Sequence, residues 1–149
     1  MPATGNDNGP GRGSDEAGLA ASASAWIRIA GAMGAIGVGT GAFGAHALKK
    51  TLEERGSAAM WQTATVYQLV HAAAVLSLAV SASSSVSRGV PGKGRRHLFA
   101  AKLMGIGSLL FSGSIYFLAL GIGPKPVLGP ATPIGGLCMI GGWAVVGTS

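Results

Sequence analysis

Polar and apolar positions alternate in blocks along this chain, and the blocks have the length of membrane spans. Residues 29–48 hold no Lys, Arg, Asp or Glu, a run of 20; residues 56–87 form a second run of 32, residues 103–124 a third of 22, and residues 126–149 a fourth of 24. A helix rising 1.5 Å per residue needs about 20 mostly apolar residues to cross a hydrocarbon core. Four helical spans are therefore predicted, near 26–47, 63–83, 98–120 and 134–146. The expected fold is all-α: a membrane-embedded, antiparallel up-down four-helix bundle over residues 25–149. The fourth span is the shortest and the richest in glycine, and Pro130 and Pro133 suit its first turn, where a missing N–H costs nothing. Residues 1–24 are small and polar, rich in Gly, Ala and Ser, and read as a disordered tail. They lack the basic start and apolar stretch of a secretory signal, and Arg12 faces Asp7, Asp15 and Glu16, unlike a transit peptide.

Composition strengthens the membrane reading. Charged residues make up 11% of the chain, against about 25% in a soluble domain, which is too little to cover a water-facing surface. The net charge of +6 does not imply nucleic acid, because the bases are scattered between uncharged runs, where they orient helices. With both termini on one side, that side gathers Arg12, Arg28, Arg88, Lys93, Arg95, Arg96 and Lys102, and the other side only Lys49, Lys50, Arg55 and Lys125. The termini are expected to face the cytoplasm, or the matrix or stroma of an organelle. A lone cysteine, Cys138, reads as a packing residue.

In the first span, Gly31, Gly34, Gly37, Gly41 and Gly44 fall within an arc of about 140°. Small residues let helix backbones approach in lipid, so the stripe predicts a packing face inside the bundle, with a homodimer face as the alternative. Polar side chains within the spans are costly and mark function by default. They are His46 at the end of span one, Gln68 and His71 in span two, and Ser112, Ser114 and Tyr116 in span three. His46, Gln68, His71 and Tyr116 are placed in one leaflet by the helix directions, giving a candidate polar cluster. It reads first as an interhelical hydrogen-bond network and second as a small ligand pocket. Span four offers it only backbone, Cys138 and the Trp143 indole, and is expected on the apolar side. No metal site and no cofactor is expected, since neither a third clustered His nor a CxxC supports one. Trp26, Trp61 and Trp143 sit near span ends and read as interfacial anchors, Trp61 also as a cap on the cluster; His97 reads as a solvated or headgroup-facing residue. No hydrolase elbow, phosphate loop or zinc-protease motif is present, and no enzyme is expected.

Four stretches in order carry a resemblance: GAFGAH at 41–46, WQTATVYQLVHAAA at 61–74, LFSGSIYFLAL at 110–120, and TPIGG at 132–136 with Gly142 and Trp143 following. Together they resemble the domain-of-unknown-function-423 family, which includes the transmembrane-protein-256-like proteins of animals. The resemblance covers roughly 26–146 and implies a multi-pass helical protein of a bacterial inner membrane or a eukaryotic membrane, mitochondria included. It brings no catalytic residue. The tail and the long second loop, SASSSVSRGVPGKGRR, depart from the compact bacterial pattern. Two functions are expected: a structural or accessory membrane protein that packs as a homo-oligomer or within a larger complex through its glycine faces, or a small transporter, channel or ligand-binding protein using the polar cluster.

Overall fold

The computed structural model describes residues 10–148 and is a bundle of helices: α1 Pro10–Ala45, α2 Lys49–Glu54, α3 Ala58–Ser87, α4 Pro91–Leu120 and α5 Lys125–Gly147. All but α2 are long and apolar enough to cross a membrane. Their order and direction are those of an up-down bundle, with the short α2 lying across the connection from α1 to α3.

The connections are tight because the helices end themselves. After α3, the Gly89 N–H bonds the Val86 carbonyl and the Val90 N–H bonds the Ser85 carbonyl, both at 3.0 Å. This reversal needs a left-handed residue, and Gly89 supplies it at φ 72°. Pro91 then opens α4, its fixed φ suiting a first helical position. Gly121 closes α4 in the same way at φ 68°. The expected long second loop thus shrinks to residues 88–90, and its serines and bases become helix.

Three boundaries differ from the sequence reading for one reason, mutual support of helices beyond the bilayer. A 30-residue helix is about 45 Å long, against a hydrocarbon core of about 30 Å, so α3 and α4 overrun it at their shared turn. The supposed tail from residue 10 onward is helical because it packs on that overrun. Leu19 and Ala23 are buried against Ala82 and Leu98, with Trp26 and Val86 at the margin. Alanine, read as a marker of disorder, is here the best helix former. The rest of the expected tail, 1–9, lies outside the described residues. The fourth helix starts at Lys125 with Pro126 in its first turn, so Pro130 and Pro133 lie inside it and not at its start. Each removes one backbone donor, a loss that neighbouring helices and hydroxyl side chains can offset within a span.

Helix α1 packs on α3, α3 on α4, and α4 on α5; α1 also touches α4, and α1 and α5 do not meet among the described residues. The core is built from small side chains: Ala30, Val75, Ala101 and Met104 form its centre, and Leu52, Trp61 and Ala119 a second cluster beneath α2. Ion pairs and hydrogen bonds gather the start of α1, the α3–α4 turn and the chain's end: Arg95 pairs with Asp15 at 3.3 Å, and Arg96 donates to the Thr148 carbonyl at 2.6 Å. We call this the basic end, and the opposite one the α2 end.

Candidate functional site

Near the α2 end, α1, α3 and α4 each bring a polar side chain to one level. Trp61 of α3 is 7% exposed and donates its indole N–H to the Thr40 carbonyl of α1 at 2.9 Å. The Thr65 hydroxyl donates to the Trp61 carbonyl at 3.1 Å, and the Tyr116 hydroxyl donates to Thr65 Oγ1 at 3.2 Å. Thr40 Oγ1 lies 3.0 Å from the same Tyr116 hydroxyl and donates its own proton to the Gly37 carbonyl at 3.1 Å. The Tyr116 ring leans on Trp61, centroids 4.6 Å apart. The Tyr116 hydroxyl of α4, set between Thr40 of α1 and Thr65 of α3, therefore stitches three helices. Ser112 of α4 donates to the Ala64 carbonyl at 2.8 Å and Ser57 to the Ala119 carbonyl at 2.9 Å, extending the stitch to both sides.

Of the four cluster candidates, only Tyr116 belongs to this belt. Gln68 is buried and donates to the Met33 carbonyl of α1 at 2.9 Å. His71 faces the other way. Its Nδ1 meets the Tyr67 carbonyl at 2.8 Å, which only an N–H can do, so Nε2 carries a lone pair and accepts from the Trp143 indole at 3.3 Å. His46 is exposed just past the end of α1. Among the described residues no two of the four hydrogen-bond each other, because Gln68 and His71, though three residues apart, flank the face of α3 that meets α4.

Helix α5 is not confined to an apolar side, as the sequence suggested. Trp143 reaches His71, and Thr132 shares a 2.7 Å hydrogen bond with Ser114 of α4. Tyr67, His71 and Phe111 stack between α3 and α4, with Tyr67 and Phe111 centroids 4.8 Å apart. Two further single-residue readings change. Trp61 is a core residue rather than a lipid anchor, and His97 is half-buried, bonded through Nδ1 to Ser81 of α3 at 2.8 Å. Thr40, Thr65 and Thr132 join the interhelical network although the amide and imidazoles stand out more in sequence; their signal is a hydroxyl within an otherwise apolar run.

The glycine stripe divides. A Cβ on Gly37 would meet Leu69 Cδ2 at 2.8 Å, on Gly41 Thr65 Cγ2 at 3.1 Å, and on Gly44 the Trp61 ring, whereas Gly31 and Gly34 have open space. Glycine also meets backbone directly, outside the stripe: Gly107 and Gly135 face each other across α4 and α5.

A cavity of about 340 Å³ opens beside the belt, lined by Gly41, Gly44, Ala45, Leu52, Ala58, Trp61, Gln62 and Thr65. Its polar groups are neutral, suited to hydrogen bonding and not to proton transfer. Among the described residues no three of His, Cys, Asp and Glu gather into a metal-binding group.

The profile of a family described as "Protein of unknown function (DUF423)" matches residues 40–136, which include the belt and the cavity. A UPF0382 membrane protein of Schizosaccharomyces pombe is 37% identical over 121 residues, 79% of this chain and 94% of that protein. A UPF0382 membrane protein of Staphylococcus epidermidis is 39% identical over 120 residues, covering 79% of this chain and 88% of its own length. The UPF0382 inner membrane protein YgdD of Escherichia coli K12 is 37% identical over 115 residues, covering 76% and 79%. No solved structure matches. With four helices long and apolar enough to span and relatives named as membrane proteins, this is an integral, multi-pass membrane protein, and it belongs to the DUF423 family.

Proposed function

We propose that this chain is a non-catalytic structural or accessory membrane protein, acting by packing with itself or with a larger membrane complex. The observation that supports this most is how His71 is used. Both ring nitrogens are engaged, one by the Tyr67 carbonyl and one by the Trp143 indole, and that second bond joins α3 to α5. Gln68 likewise spends its amide on the backbone of α1, and Tyr116 its hydroxyl on Thr65. Polar groups in a bilayer that are consumed by neighbouring helices act as fasteners. The test is to replace Gln68 or His71 with leucine and to measure thermal stability in detergent. A fall in stability is expected; unchanged stability with loss of a bound molecule overturns the reading.

A second reading, a small transporter or ligand-binding protein, draws on the cavity beside Trp61. Native mass spectrometry of protein taken from its own membrane separates the two. The first expects a second copy or a partner chain, the second a retained small molecule.

A further inference from the structure

At the basic end, the first helical turns of α1 and α4 run parallel and leave a groove between them. It has a volume of about 490 Å³ and is lined by Asp15, Gly18, Leu19, Ser22, Arg95, Leu98, Phe99 and Lys102. Arg95 and Lys102 are seven residues apart, two helical turns on one face of α4, with Leu98 and Phe99 between them. Across the groove, α1 offers Leu19 and the hydroxyl-bearing Ser22. The walls thus carry a lone cation, Lys102, at one end, the Arg95–Asp15 pair at the other, and apolar surface in the middle.

Depth fixes what such a groove meets. The charge-free runs of α1 and α4 begin directly after Arg28 and Lys102, both exposed, so the hydrocarbon edge lies at the level of these two residues. Side chains on a helix lean towards its N-terminus, and α4 begins at the basic end. The Lys102 stem therefore runs from the hydrocarbon edge back towards the groove, carrying its ammonium to headgroup level. Among the described residues Lys102 has no ion-pair partner. Arg95 gives one N–H to Asp15 at 3.3 Å, with both side chains more than half exposed. Such a pair is weak and leaves most of the guanidinium fork for another anion. Gly18 has open space in front of it, so nothing on α1 fills the groove at that level. The whole end is positive in the sequence, seven bases against three acids.

We propose that this groove binds an anionic phospholipid. Its phosphate lies between the Arg95 guanidinium and the outward-reaching Lys102 ammonium, Ser22 is a hydrogen-bond donor to the headgroup, and the acyl chains leave the groove past Lys102 into the hydrocarbon. Phe99 is 53% exposed, apolar surface that the glycerol backbone would cover. Charge complementarity selects the anion, and the apolar floor at the bilayer edge selects a lipid over free phosphate.

The test uses the full-length chain in detergent, titrated with phosphatidylglycerol or with phosphatidylcholine of the same acyl chains, and counts retained lipids by native mass spectrometry. Phosphatidylglycerol should be retained with a preference of up to about thirty-fold, the size that two membrane-surface cations supply. The Arg95→Ala/Lys102→Ala double variant should abolish that preference. Gly18→Leu should also abolish it, because it fills the groove while keeping every charge, and a leucine in helix does not threaten folding. Lys93→Ala/Arg96→Ala, which removes two bases outside the groove, should retain most of it. Equal retention of the two lipids overturns the proposal. So does an equal loss in the two double-alanine variants, which assigns binding to diffuse charge, or full preference in Gly18→Leu. A species of twice the chain's mass that excludes lipid assigns the groove to a second copy and overturns it as well.

Discussion

Glycine brings helices together at several places in this protein, and two of them, α1 on α3 and α4 on α5, differ in what the glycine meets. On α1, Gly37, Gly41 and Gly44 receive side chains from α3: Leu69, Thr65 and Trp61. Between α4 and α5, Gly142 receives the Met104 side chain, but Gly107 and Gly135 receive backbone. A Cβ on Gly135 would stand 2.5 Å from the Phe111 nitrogen and 2.6 Å from the Gly107 carbonyl oxygen, and one on Gly107 2.7 Å from the Gly135 carbonyl oxygen. A side chain can rotate away from an added methyl, and a helix backbone can yield only by moving the whole helix. The first interface is a set of sockets, the second a direct backbone contact, and only the second explains why α5 docks so closely with so little buried side-chain volume. Of its residues only Gly135, Met139 and Gly142 are buried.

The largest effect is expected at Gly135→Ala. It should destabilise the protein by about 3 kcal/mol, the upper end of overpacking costs, in denaturant unfolding from detergent micelles. Truncating Phe111 in the same chain should not relieve it, since the clash is with backbone. A loss under about 1 kcal/mol would mean that α4 and α5 separate freely, and the contrast would fail.

Gly44→Ala comes next, at about 2 kcal/mol, because the added methyl displaces the Trp61 indole from the Thr40 carbonyl. Here a partner substitution should help. In a Trp61→Phe background the cost of Gly44→Ala should fall by more than half, and a double-mutant cycle reads that coupling directly. Additivity of the two changes would show that the socket is not what the glycine serves.

Tyr116→Phe keeps the ring on Trp61 and removes only the hydroxyl between Thr40 and Thr65, with an expected loss of about 0.6–1 kcal/mol. A greater loss would rank the hydrogen-bonded belt above glycine packing in holding α1, α3 and α4 together. The smallest effect is expected at Gly31→Ala. Its Cβ meets nothing, so thermal stability should change by less than about 0.5 kcal/mol or rise slightly through helix propensity. A large loss there would show that the open part of the stripe is covered by protein in the membrane.

The sequence by itself determined the solvent, the number of spans and their up-down order. Charge-free runs of this length admit little else, because lipid forces each backbone polar group to be satisfied within its own helix. It also exposed the costly residues, since an amide or imidazole stands out in an apolar run. Which of them would meet was decided by tertiary structure. Gln68 and His71 share a stretch of α3, yet one bonds α1 and the other α5, a division set by helix rotation and not by sequence spacing. Ends were decided in the same way. Residues 10–24 look like tail when read alone and become helix only because the overruns of α3 and α4 give Leu19 and Ala23 a surface to bury against. Glycine shows the division most plainly: its position is written in the chain, but whether it faces open space, a ring or another backbone depends on which helix arrives opposite, and only packing places that helix.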